Sequence, residues 1–88
     1  QVRQAIILHI RVVSEPEKAA RLIETHGDVA KVEVRSPDLI VVTLNKGVLD
    51  YSFLPTLLLE NGLKLVLFRE EELNLETAFM ELTRGLVQ

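Results

Sequence analysis

The chain has no cysteine and no tryptophan, and its 88 residues hold a single tyrosine and three phenylalanines. Without thiols there can be no disulfide, no thiolate metal site and no thiol nucleophile, and a reducing compartment is permitted. Glycine is scarce: Gly27, Gly47, Gly62 and Gly85 are the only four. None of them falls in a GxxxxGK[ST] loop or a GxGxxG turn, so the backbone nest that cradles phosphate is missing from the sequence. Basic charge is also short, ten Lys and Arg against thirteen Asp and Glu, for a net charge of −3. That balance supplies no field for neutralising a phosphate backbone, which argues against a nucleic-acid partner. The longest candidate stretches, residues 5–10 and 63–68, interrupted by His9 and Lys64, fall far short of the roughly 20 residues that a membrane helix requires, so no direct span is expected.

What is present is an ordinary globular composition, 48% hydrophobic and 26% charged, outside the regime of disorder. A chain this short makes one domain, because two cores would each fall below the size that folds unaided. Residues 5–13 alternate, with Ile6, Leu8, Ile10 and Val12 on one face and Ile7, His9 and Arg11 on the other, as a half-buried strand does. Ser14 then offers a cap, Pro16 suits a first helical turn, and Ala19, Leu22, Ile23 and His26 recur at helical spacing up to Gly27, expected to be a left-handed stop.

Val29 to Arg35 alternates again, setting Ala30, Val32 and Val34 against Lys31, Glu33 and Arg35. Ser36-Pro37-Asp38 reads as a turn into a β-branched strand over residues 39–44, giving a hairpin. A second helix starts near Ser52 or Leu54, tolerates Pro55 in its first turn, and ends at Asn61-Gly62. Residues 63–68 form a fourth strand, after which Asn74 caps a last helix with Leu75, Ala78, Phe79, Leu82 and Leu86 on its apolar face. The expected fold is α+β: a ferredoxin-like βαββαβ sandwich with an additional C-terminal helix.

Antiparallel sheets with helices on one side ordinarily show water a polar second face. Here Ile7, Leu39 and Val41 or their alternates on the third strand, Val66 and Phe68 are expected on that face, with Ile7, Val41, Val66 and Phe68 as the candidate interface. Either the last helix folds across these groups, or another chain or domain does. The remaining polar groups have plain structural roles. His9 and His26 lack the spacing of a metal site, and His26 sits where it would complement a helix dipole. Ser14, Ser36 and Ser52 occupy cap or turn positions, and Glu70, Glu71, Glu72 and Glu76 place negative charge at the start of the last helix. The central strands carry no aromatic side chain on which RNA bases could stack.

The order Leu75-Glu76, Phe79, Glu81-Leu82-Thr83 and Gly85 resembles the "Leu-Glu-x-x-Phe-x-x-Leu-Thr" ending of many bacterial and archaeal ABC transporter ATP-binding subunits. Asn74, Thr77, Ala78 and Met80 depart from its commonest spelling, but Asn still caps and Met still packs. Upstream, Leu22-Ile23 with Gly27-Asp28-Val29 and the segment Leu57 to Gly62 are similar to a helix, Gly-Val, strand passage and to a leucine-rich helix of the same family, so the likeness spans residues 18–85.

The resemblance implies that residues 1–88 are one C-terminal accessory domain of the exporter type, excised from a longer subunit, as a start at Gln1 rather than Met suggests. It implies no enzyme activity and no cofactor in this domain, with ATP and Mg held by the parent's absent ATPase core. It implies a homodimer or a second ATPase subunit as partner, a membrane permease beside the parent, and a cytoplasmic place peripheral to the membrane. Leu75, Glu76, Phe79, Leu82 and Thr83 carry the family spelling; as residues they are packing and capping groups. The alternative is an ACT-like small-molecule sensor of the same topology. Such domains usually carry glycine after the first strand, where this chain has Ser14-Glu15-Pro16.

Overall fold

A computed structural model of the chain describes residues 5–71. Its elements run β1 (Ile7–Val12), α1 (Pro16–Glu24), β2 (Val29–Arg35), β3 (Leu39–Leu44), α2 (Phe53–Glu60) and β4 (Leu65–Glu70). The strands form one sheet in the order β2-β3-β1-β4, and each neighbouring pair is antiparallel. This is a small α+β domain with a four-stranded antiparallel sheet and two helices. The C-terminal helix expected after β4, with Leu75, Glu76, Phe79, Leu82 and Thr83, lies outside the described residues.

Period-two alternation places β1 at the centre. Leu8, Ile10 and Val12 are buried on one face, and Ile10 stands opposite Ile40 of β3 on one side and Phe68 of β4 on the other. The same face takes Ala19, Ala20 and Ile23 of α1 and Leu54 and Leu58 of α2 into a single apolar cluster, so both helices lie on one side of the sheet. Small Ala19 and Ala20 let α1 approach the strands closely, while each fully buried Leu or Ile contributes roughly 1.5 to 3 kcal/mol.

The cap of α1 differs from expectation, whereas α2 starts at Phe53, between the expected Ser52 and Leu54. Glu15, not Ser14, holds the cap position of α1, with φ 60° and ψ 57° and no side-chain cap bond. Pro16 occupies the first turn, and its ring disfavours the right-handed region for the residue before it. Ser52 precedes α2 without bonding the helix; its Oγ–H and N–H both donate to Asp50 Oδ1, at 2.7 and 3.0 Å, in an Asx turn.

The helix ends also separate two glycines that look alike in sequence. α1 stops at Glu24, where the Thr25 hydroxyl donates to the Leu22 carbonyl at 2.6 Å. Gly27 therefore comes too late to serve as a stop and is not among the residues with positive φ. Gly62, at φ 78°, does close α2: its N–H reaches Leu59 O and the Leu63 N–H reaches Leu58 O, at 3.1 and 2.9 Å. Those are the two bonds of a Schellman motif, and buried Leu63 and Leu58 supply its apolar contact.

One strand position also changes face. Val29, not Ala30, pairs with Leu44 and packs against the core, because an irregularity between Val29 and Lys31 shifts the register. Ala30 is exposed.

A candidate interaction surface

The face of the sheet turned away from the helices follows from the same registers. His9 of β1 stands opposite Val41 of β3, which in turn stands opposite Glu33 of β2; on the other side His9 faces Arg69 of β4. Ile7, Thr43 and Lys31 form the adjoining row, and Arg11 and Leu67 another. The centre is apolar: Val41 is only 5% exposed although it points away from both helices, and Ile7, Leu39 and Leu67 are half-buried.

Charged pairs frame this strip. His9 Nε2 lies 2.8 Å from Glu71 Oε1. The Arg11 guanidinium donates to Asp38 Oδ1 at 3.0 Å, tying β1 to the β2–β3 turn. Along β2, Glu33 accepts from Arg35 at 3.2 Å and lies 3.9 Å from the Lys31 ammonium. The three pairs around Arg11, Arg35 and Lys31 are exposed, a setting in which each contributes little to stability. They orient side chains around an apolar centre.

The expected interface residues divide. Ile7 and Val41 lie on this face. Phe68 does not: it stands opposite Ile10, packs against the core, and lies 5.9 Å from Tyr51 between ring centroids. Val66 is 62% exposed on edge strand β4, between Leu65 opposite Val12 and Leu67 opposite Arg11, where the ladder skips a residue. The reason is a bulge opposite Arg11 and Val12, which resets the parity of β4 after Leu65. In the run from Leu63 to Phe68, Lys64 marks the even positions as outward, and simple alternation carries that assignment on to Phe68. Leu67 is the residue missed.

Two shallow grooves lie on the helix layer. One, of about 360 Å³, is lined by His26, Phe53, Thr56, Leu57 and Glu60. In it the imidazole of His26 stacks on Phe53 with centroids 3.8 Å apart, and His26 Nδ1 accepts the Asp28 N–H at 3.1 Å. The other groove, of about 350 Å³, runs past Leu49, Tyr51, Pro55 and Phe68. There the Tyr51 hydroxyl donates to Glu70 Oε2 at 2.7 Å, and that bond, followed by desolvation and the Glu70 charge, raises the phenol above its ordinary range. Asp50 is held below the usual carboxylate range by the Ser52 N–H and hydroxyl.

Ser52 Oγ thus bonds a carboxylate directly, with no imidazole between them to act as a base. Among the described residues no three His, Cys, Asp or Glu side chains converge as a metal site, and no helix is long and apolar enough to cross a membrane. The feature of this domain with the form of a contact surface is the sheet face, apolar at its centre and charged at its rim. No protein-family model matches the chain, and no curated protein matches it.

Proposed function

We propose that this chain is a non-catalytic accessory domain of an ABC transporter ATP-binding subunit, ferredoxin-like in fold, which modulates ATP-driven transport through contacts between subunits. One observation carries the reading: the second face of the sheet presents Ile7, Val41, Leu39 and Leu67 as an apolar strip within a frame of ion pairs. A domain without further partners would set polar groups there. The βαββαβ order with strands arranged β4-β1-β3-β2 supports the ferredoxin-like description, and the C-terminal spelling supports the ABC context.

The domain's part is then to bias the association of ATPase subunits, for which a coupling of roughly 1 to 3 kcal/mol is enough. ATP and Mg belong to the parent's core, the permease to the parent complex, and the site of action to the cytoplasmic side of the membrane. The test is Ile7→Asp, at a half-buried position on this face, in an ATPase subunit that carries this domain. Unchanged Mg-ATP binding with weakened subunit pairing or altered turnover supports the proposal; unchanged pairing and turnover refutes it. Saturable binding of an amino acid that raises the melting point would instead favour the ACT-like sensor.

A further inference from the structure

We propose that two copies of this chain pair edge to edge through β2, around a two-fold axis at Val34, and so join their sheets into one of eight strands. The inference rests on the subunit-contact reading and names the surface through which the copies meet.

Among the described residues β2 is an edge of the sheet, and its outer side carries backbone N–H and C=O groups with no described strand beside them. Its pairing with β3 is regular from Lys31 to Arg35, the irregularity being confined to Val29 and Lys31. A short ladder about Val34, over Glu33 to Arg35, stays within β2 and avoids the bulge. The bulge and the signs of the charges together select the register: an axis at Val32 would also oppose unlike charges, Lys31 and Glu33, but would set Ala30, inside the irregularity, against Val34. Lys31, Glu33 and Arg35 alternate along one face, with side chains 69%, 40% and 55% exposed.

An axis at Val34 sets Glu33 opposite the partner's Arg35, and Arg35 opposite the partner's Glu33. It also brings Val34, an exposed large hydrophobic residue on an edge strand, against the partner's Val34. An axis at Glu33 would instead oppose Lys31 to the partner's Arg35, which cross-strand pairing disfavours. Glu33 and Arg35 already meet within one strand at 3.2 Å, so exchanging partners disturbs no core contact. Because the axis runs perpendicular to the sheet, the two second faces come out on the same side, and the Ile7 and Val41 strips become parts of one surface. An edge ladder of this length falls at the small end of specific interfaces, so the association is weak and visible only at high concentration.

Light scattering on the 88-residue chain from roughly 10 µM to 1 mM, the range such an interface calls for, should show the mass rising toward twice the monomer's. Glu33→Arg and Arg35→Glu each place like charges across both symmetric pairs, and each alone should weaken self-association by roughly tenfold. Circular dichroism should show both variants folded, since the side chains are exposed. Mixed in equal amounts, the two variants restore unlike pairs at both positions and should recover the dimer. A wild-type chain that stays monomeric throughout overturns the proposal, as do single variants that pair like wild type, and so does a mixture that fails to recover. If the single variants pair like wild type, the copies meet through another surface; the subunit-contact reading survives that result and stands or falls with Ile7→Asp in the parent.

Discussion

Ile7 and Ile10 share a strand and a residue type but face opposite sides of the sheet, which makes truncating each to alanine a direct measure of how the two faces are covered. Ile10 is fully buried between Ile40 and Phe68, beneath both helices. Its truncation removes three carbons, roughly 2.4 kcal/mol at about 0.8 per buried carbon, and leaves a cavity that brings the loss to about 4 kcal/mol. For a domain of this size that is a fall of roughly 16 to 30 °C in Tm, and a large part of a total stability on the order of 4 to 13 kcal/mol. Ile7 is half-buried and lies outside the core cluster proper. With half the transfer contribution and no enclosed cavity, Ile7→Ala should lose about 1 kcal/mol. Urea titration followed by circular dichroism measures both, with a common slope as the sign that only stability has changed. Equal losses from the two variants at a dilution where the chain is monomeric would refute the reasoning, because the second face would then be as closed as the first.

Gly62→Ala should cost roughly 1 to 2 kcal/mol, read as a lower thermal midpoint: its φ of 78° is left-handed, and an added Cβ would meet nothing within 4 Å, so the penalty is one of backbone conformation alone. Tyr51 should ionise above its ordinary range, and phenolate absorbance in Glu70→Gln should bring it back down, since the carboxylate is the main cause of the shift. The sign follows: a phenol raised in the folded state stabilises the fold fully below its unfolded pKa, and that contribution disappears as pH rises through the folded value. Calorimetry of the isolated chain with Mg-ATP should show no saturable heat, because the sequence has no phosphate-cradling loop; micromolar binding would contradict the accessory-domain proposal.

What could be read in advance was whatever a short-range rule decides. The limits Val29 and Arg35 of β2, the sidedness of β1, the first-turn place of Pro55 and the stop at Gly62 all follow from alternation, proline sterics or glycine's freedom at positive φ. What could not be read depended on distant partners. The parity of β4 hangs on a bulge against β1, more than fifty residues earlier in the chain, and Lys64, the one polar residue between Leu63 and Phe68, marks as outward a parity that no longer holds beyond that bulge. Ser14 and Gly27 each have a residue type suited to a cap, yet local competition displaced them: Pro16 moved the start of α1, and the Thr25 hydroxyl ended the helix before Gly27. On the candidate surface, Ile7 was legible because His9 and Arg11 share its side of β1, whereas the apolar run from Leu39 to Val42 left the side of Val41 open to its alternates. Leu67 was hidden for the same reason that Phe68 was misassigned.

The central position of β1 has a consequence for the order of folding. Its two neighbours come late: Ile10 pairs with Ile40, 30 residues on, and with Phe68, 58 residues on. Among the described strand pairs, only β2 with β3 closes through a short turn. That hairpin is the nucleus that local search can find first, while the strand synthesised earliest waits for both flanks and bears the loop-closure entropy of each. Until Leu65 to Glu70 have been made, Leu8, Ile10 and Val12 lie along an open sheet edge, so a nascent chain of this domain is most exposed to aggregation at the segment that ends up best protected.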